Sequence, residues 1–164
     1  MSGVERTLVV LKPDAVARGL VGRLIQRFED AGFKIVGAKM AVMDAEFTRK
    51  HYFDLEERLG KAVYDANAAA MQRGPVIAMV IEGVEAVANI RRLVGGTYPS
   101  EAPPGTIRGD FAHQSKAYCN EQHKAVCNLV HASGNAAEAK QELDLWFPPD
   151  EQFDYHTLAE TFTF

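Results

Sequence analysis

The run Thr7-Leu8-Val9-Val10-Leu11-Lys12, cut off by Pro13, is the tightest constraint in the chain. Side chains along a strand point alternately to opposite faces, so four apolar residues in a row must bury both. The run therefore predicts a central strand covered on both sides. A chain built on such a strand must supply apolar stripes to pack against it. Leu20, Val21, Leu24, Ile25 and Phe28 form one, on a helix that Gly32 ends. Phe33 to Met43 alternates in part and reads as a strand. Residues 44 to 73 carry several Ala and few β-branched residues, so they read as helical up to Gly74-Pro75. Val76 to Ile81 is a second apolar strand. Val84, Val87, Ile90 and Val94 then mark a helix stopped at Gly95-Gly96, and residues 97 to 110 are turn-rich. Val126 to His131 reads as a short strand. Asn135 with Glu138 three residues on resembles a capping box, opening a helix that runs to Trp146 before Pro148-Pro149.

Two βαβ-like halves with an inserted helical block emerge from this order. Four strands are too few for a doubly wound dinucleotide fold. The fold class expected is α+β, an α/β sandwich of ferredoxin-like type: a four-stranded antiparallel sheet with split βαβ topology and helices packed on it. No repeat or linker divides the sequence, and 164 residues suit a single domain over 1–164. A chain of this length buries roughly 70% of its unfolded surface, so it needs no disulfide or metal staple.

Charge narrows the function. Lys+Arg is 18 against Asp+Glu 22, a net charge of −4. A nucleic-acid binder shows a basic surplus, so nucleic acid is not an expected partner. Cys119 and Cys127 match no zinc spacing and no disulfide framework, which points to a reducing compartment. No signal peptide and no membrane-length apolar run is seen, and the expected location is cytoplasmic. Neither G-x-x-x-x-G-K-[ST] nor a G-x-G-x-x-G after a strand is present, so any phosphate binding must rest largely on side chains.

Three cations stand out. Lys12 ends the buried strand, either as a solvated strand end or as a point charge for phosphate. At about 100° per residue Arg91 falls within the stripe of Val84, Val87, Ile90 and Val94, whereas Arg92 falls well away from it. An inward guanidinium needs an anion, a ligand or a structural carboxylate, so Arg91 is the site candidate and Arg92 the solvated one. Arg108 lies in Pro104-Gly105-Thr106-Ile107-Arg108-Gly109-Asp110, a plain turn or a close approach to phosphate oxygens. Among five histidines, His131 is distinctive, closing an apolar strand just before a capped helix. An imidazole there can be a base, a nucleophile or a satisfied core group. Glu142, on the following helix, could hold one ring nitrogen and leave the other free.

At these residues the chain resembles the nucleoside diphosphate kinase family. The matching stretches are Lys12-Pro13-Asp14-Ala15-Val16, Arg18-Gly19-Leu20-Val21-Gly22, His51-Tyr52, Pro104 through Phe111, Asn128-Leu129-Val130-His131-Ala132-Ser133 and Trp146-Phe147. The likeness runs over nearly the whole chain. It implies a ping-pong reaction in which a nucleoside triphosphate gives its γ-phosphoryl to His131 and a nucleoside diphosphate then takes it. It implies that Lys12 contacts the γ-phosphate and ribose hydroxyl, and that Tyr52 lies near the transferring group. Arg91, Thr97 and Arg108 would hold phosphates, Asn128 the ribose end, and Glu142 with Ser133 would orient the imidazole. Mg²⁺ would be the cofactor, held mainly by the nucleotide phosphates rather than by a protein metal site. The likeness further implies a homo-oligomer, a hexamer in preference to a tetramer, with the loop containing Pro99 in subunit contacts.

The chain departs from the family pattern in three places. Leu59-Gly60-Lys61-Ala62-Val63 stands where Pro-Phe-Phe is usual after Arg58, removing the aromatic that stacks on the base. Residues 112 to 125, with Lys116, Tyr118 and His123, are longer than in short members. Gly134 replaces a common Asp. The competing readings are a catalytically reduced regulatory or nucleic-acid/protein-binding module on the same fold, and transfer from the phosphohistidine to a protein.

Overall fold

The structure, a computed structural model, describes residues 3–164. Strand β1 (Val4–Leu11) leads through α1 (Pro13–Ala17) and α2 (Val21–Asp30) to β2 (Lys34–Ala41). Helices α3 (Ala45–His51), α4 (Leu55–Leu59) and α5 (Lys61–Met71) precede β3 (Val76–Val84) and α6 (Ala86–Val94). Then come α7 (Ile107–Phe111), α8 (Lys116–Glu121), β4 (Val130–Ala132), α9 (Ala136–Trp146) and α10 (Glu160–Thr163). The sheet order is β2-β3-β1-β4 with every pairing antiparallel, which is the ferredoxin-like arrangement.

β1 is the central strand its sequence demands. Val9 and Leu11 pack with Leu24 and Phe28 of α2 and Ile90 and Val94 of α6. Leu8 and Val10 face the other way, into a second core with Met71 of α5 and Trp146 of α9. All four are fully buried. At roughly 1.5–3 kcal/mol for each fully buried aliphatic side chain, this double covering anchors the strand whose end carries Lys12.

The block 44 to 73 is helical as expected, in three pieces, because Tyr52 leaves helical geometry (φ −100°, ψ 41°) and Gly60 takes φ +90° between α4 and α5. Three expectations need correction. Val84 is not on the α6 stripe; it pairs with Val4 as the last residue of β3 and is partly exposed. Arg108 is not in a plain turn but on α7, capped by the Thr106 side chain accepting from Gly109 N–H. Gly109 is required there, since a Cβ would lie 2.2 Å from the Pro103 carbonyl oxygen. Finally, the strand expected over Val126 to His131 begins only at Val130.

That late start has a local cause. Leu129, fully buried, takes φ +71°, and Val130 N–H donates across it to the Asn128 carbonyl at 2.8 Å. This is the strained form of γ-turn. It is held from outside: Leu129 N–H donates to Asp14 Oδ2 at 3.0 Å, and its carbonyl accepts from Lys12 N–H at 2.8 Å. A left-handed residue with a side chain costs on the order of 1–3 kcal/mol and persists only where its surroundings enforce it.

Candidate active site

The kink at Leu129 turns β4 so that His131, its middle residue, pairs with Val10 on the sheet edge beside a cleft. The sequence placed His131 at the end of a longer strand; the structure puts it at the centre of a short one. The imidazole is 21% exposed and lines two adjoining cavities of ≈ 680 and ≈ 620 Å³. Tyr52, Leu55, Thr97, Arg108 and His131 border both, so the two form one continuous cleft.

Behind the ring, Nε2 lies 2.8 Å from Glu142 Oε1. Glu142 Oε2 in turn accepts from the buried Ser133 hydroxyl at 2.5 Å. Helix α9 supplies the carboxylate, and its start is fixed by the expected cap: Asn135 Oδ1 accepts from Glu138 N–H at 2.9 Å. Burial by itself would raise the Glu142 pKa, but the hydrogen bonds from His131 and Ser133 outweigh it, and the carboxyl titrates below its usual range. An ionised carboxylate can only accept, so Nε2 carries the proton and Nδ1 keeps the lone pair.

The cations line the same cavities as the ring. Lys12 Nζ is buried and donates to Asn128 Oδ1 at 2.9 Å, while Asn128 Nδ2 donates to the Thr97 carbonyl at 2.9 Å. Burial lowers the Lys12 pKa, with Asp14 opposing and Arg108 adding to the effect. The Arg108 guanidinium donates to three backbone carbonyls, those of Asn128 (3.1 Å), Gly95 (3.0 Å) and Val130 (2.6 Å). Its pKa falls to about 10, chiefly through burial and then through Arg91 nearby. Carbonyls fix its plane without cancelling its charge. No ion pair is formed by Lys12, Arg91 or Arg108 among the described residues, so a protein of net charge −4 keeps a locally positive cleft. Such a cleft attracts anions and excludes a bare cation site.

Arg91 needs a second correction. The stripe argument set it inward; it is exposed, at the rim of the His131 cavity, while Arg92 borders a separate recess with Phe33 and Phe164. With Val84 in β3, the buried stripe of α6 is Ala86, Val87, Ile90 and Val94, and at about 100° per residue Arg91 falls outside it. Tyr52 lines both cavities, and burial pushes its hydroxyl pKa up, so it stays a donor. Thr97 is exposed at the cleft edge and contributes its carbonyl to Asn128.

The departures also find places. Leu59 and Val63 are exposed apolar side chains on one wall of the cleft, facing Asn120, His123 and Lys124 on the other. Of the three residues marked in the longer segment, only His123 lines the cleft; Tyr118 is outside with Lys124 Nζ over its ring. Gly134 lets the Glu138 carboxylate close on its N–H at 3.0 Å, where a Cβ would collide with Oε2. Cys119 and Cys127 are both free thiols, as expected.

Two supports were missed in the sequence. Asp14 holds the Leu129 turn, and His51, at the end of α3, packs against the His131 ring with centroids 4.6 Å apart. Their partners lie 115 and 80 positions away in sequence (129 − 14 and 131 − 51), beyond any local pattern.

Fold and site together define a ferredoxin-like α+β protein with a histidine-centred, cationic nucleotide-sized cleft. The family model for nucleoside diphosphate kinase matches residues 5–152. A nucleoside diphosphate kinase of Pyrococcus horikoshii is 46% identical over 162 residues, 99% of this chain and 97% of that protein. Human nucleoside diphosphate kinase A is 38% identical over 164 residues, 100% of this chain and 99% of the relative. Among solved structures, a transition-state mimic of the Borrelia burgdorferi nucleoside-diphosphate kinase with bound vanadate and ADP superposes with a TM-score of 0.96, at 39% identity and 99% and 98% coverage. A halophilic enzyme of Halobacterium salinarum in complex with CDP gives a TM-score of 0.82 at 37% identity, covering 96% of each chain. The chain belongs to the nucleoside diphosphate kinase family.

Proposed function

We propose that the protein transfers the γ-phosphoryl group of a nucleoside triphosphate to a nucleoside diphosphate through a phosphohistidine at His131. The observation that carries this is the split role of the two ring nitrogens of a cleft-lining histidine: Nε2 is bound by Glu142, which leaves Nδ1 as the nucleophile. In the first half-reaction the Nδ1 lone pair attacks the γ-phosphorus, the bond to the bridging oxygen breaks, and that oxygen leaves on the diphosphate. In the second, a terminal oxygen of the acceptor diphosphate attacks the same phosphorus and the N–P bond breaks. Phosphoryl transfer asks mostly for positioning and for charge stabilisation. Lys12, Arg91 and Arg108 supply three cations, Tyr52 and Thr97 supply hydroxyls, and Asn128 ties Lys12 to the ribose end. Glu142 stabilises the positive charge that the ring gains as Nδ1 forms its bond, with Ser133 fixing the carboxylate.

Mg²⁺ fits this site as part of the substrate. Among the described residues, one group of side chains has metal-ligand spacing: His51, His131 and Glu142, all within 4.8 Å. Its carboxylate is already shared between His131 and Ser133, and two imidazoles are poor ligands for so hard an ion. The ion would therefore be held by the nucleotide's phosphates beside Lys12, Arg91 and Arg108, and would supply charge neutralisation there.

One domain over 1–164 is supported by two cores sharing one sheet. A homo-oligomer is supported by exposed Met40, Val42, Leu158 and Phe162; a hexamer in preference to a tetramer rests on the family likeness. A cytoplasmic location is supported by two unpaired thiols. No helix among the described residues is long and apolar enough to cross a membrane. The intact His131 and the cationic side chains Lys12, Arg91 and Arg108 argue against a catalytically reduced module. Incubation with γ-labelled ATP and Mg²⁺, followed by separate nucleoside diphosphate and protein acceptors, tests the reading. Label should pass to the nucleotide; label passing to protein alone would refute it.

A further inference from the structure

A buried N–H with no acceptor costs about 1–3 kcal/mol, so a protein that keeps one calls for an explanation. His51 keeps one. Its ring is buried, and Trp146 Nε1 lies 3.2 Å from its Nδ1. An indole N–H only donates, so His51 Nδ1 must be the lone-pair nitrogen and Nε2 must carry the proton. His51 Nε2 is buried without a hydrogen-bond partner among the described residues. The ring stays neutral at physiological pH: burial first, then His131 and Lys12, push its pKa down to about 3, against the pull of Glu142. It stands nearly perpendicular to His131 (centroids 4.6 Å, 77°) and to Trp146 (5.6 Å, 89°).

Metal binding does not explain the cluster. For Nε2 to offer a lone pair, the proton would have to move to Nδ1, setting two donors against each other at the Trp146 contact. A role in orienting His131 does explain it. The Glu142 bond restrains one atom of that ring and leaves it free to tilt about the bond. The second torsion of a histidine is broad, so rotamer preference does not supply the missing restraint. A second contact, from a perpendicular ring, removes the tilt. Neutrality matters too, because a charged His51 would compete with His131 for the Glu142 carboxylate.

We propose that His51 is a positioning residue for phosphoryl transfer: a Trp146-locked Nε2–H imidazole whose perpendicular contact holds the His131 ring with Nδ1 toward the cleft and Nε2 on Glu142. The inference rests on His131 being the phosphoryl acceptor and deepens that reading. Misplacing a reacting group by ~1 Å can cost ~10²-fold in rate.

Three variants of the full chain test it, in single-turnover phosphorylation by ATP with Mg²⁺ and in steady-state exchange. His51→Phe keeps ring packing but loses the bond to Trp146. Trp146→Phe removes the donor that sets the tautomer. His51→Gln restores an acceptor for the indole and an N–H donor beyond it. The expected result is a roughly 10- to 100-fold slower phosphorylation of His131 in His51→Phe, with KM for ATP nearly unchanged. Trp146→Phe should show a smaller loss of the same kind, and His51→Gln a partial recovery. In the native protein, ¹⁵N NMR should show a lone-pair Nδ1 and a protonated Nε2 at His51. Native rates in both His51→Phe and Trp146→Phe, or a proton on His51 Nδ1, would overturn the proposal, even if a variant folds poorly, since the NMR needs none. Native protein that takes no phosphate on His131 would instead defeat the function itself.

Discussion

The two ends of the cleft follow different rules. At the histidine end a set of polar groups is held by fixed partners: Nε2 on Glu142, Glu142 on Ser133, Lys12 on Asn128, Arg108 on three carbonyls. At the other end, Leu59, 57% exposed, and Val63 line the cleft with Asn120, His123 and Lys124, and among the described residues no such chain of hydrogen bonds ties them together. Charge stabilisation acts through fixed groups aimed at where charge develops, so it needs scaffolding. A base needs only a surface, because each base presents the same kind of flat face. The family's usual aromatic can therefore be absent from one end while the other keeps its full set of groups.

The sharpest break between the ends is predicted for His131→Ala, which should abolish exchange measured by a coupled assay while the folded circular dichroism spectrum is kept. Arg108→Ala and Arg91→Ala should each lower kcat by about 10²–10³-fold, the size of losing one preorganised charge. Arg92→Ala, from the separate recess, should stay near native; equal losses for Arg91 and Arg92 would erase the distinction between them. At the base end, Leu59→Ala should raise KM several-fold with kcat unchanged, which steady-state kinetics on ATP and on GTP would read. A drop in kcat instead would show that the two ends are not separable.

The smallest effect concerns pH. The folded pKa of His51, near 3, lies below its unfolded value of 6.5, so the unfolded chain binds a proton that the native one refuses. Stability from this group is full above about pH 6.5 and is lost as pH falls toward 3. Chemical denaturation of His51→Gln should show a shallower decline over that window than the native protein.

How far the sequence carries depends on the range of the interaction. β1 and α2 are legible because burial writes itself into neighbouring residues, and the α9 cap because Asn135 and Glu138 are three apart. The Leu129 turn is not, since a left-handed leucine has no local signature and is enforced by Asp14 from 115 positions away (129 − 14). The helical period tempts Val84 into α6, but pairing with Val4 claims it for β3. Arg91 reaches the rim of the His131 cavity from the last turn of α6 rather than from an inward stripe. Lys12, Arg108 and His131 stand out from their local sequence and Asn128 through motif likeness, whereas His51 carries no local signal because its meaning lies in Trp146, 95 positions on.

Everything at the active site turns on which imidazole nitrogen is free. Trapping the protein with ATP and Mg²⁺ and identifying the phosphorylated atom by mass spectrometry with ³¹P and ¹⁵N NMR decides it. The account predicts phosphate on His131 Nδ1, with Nε2 still protonated against Glu142. Phosphate on Nε2, or on any other residue, would contradict it.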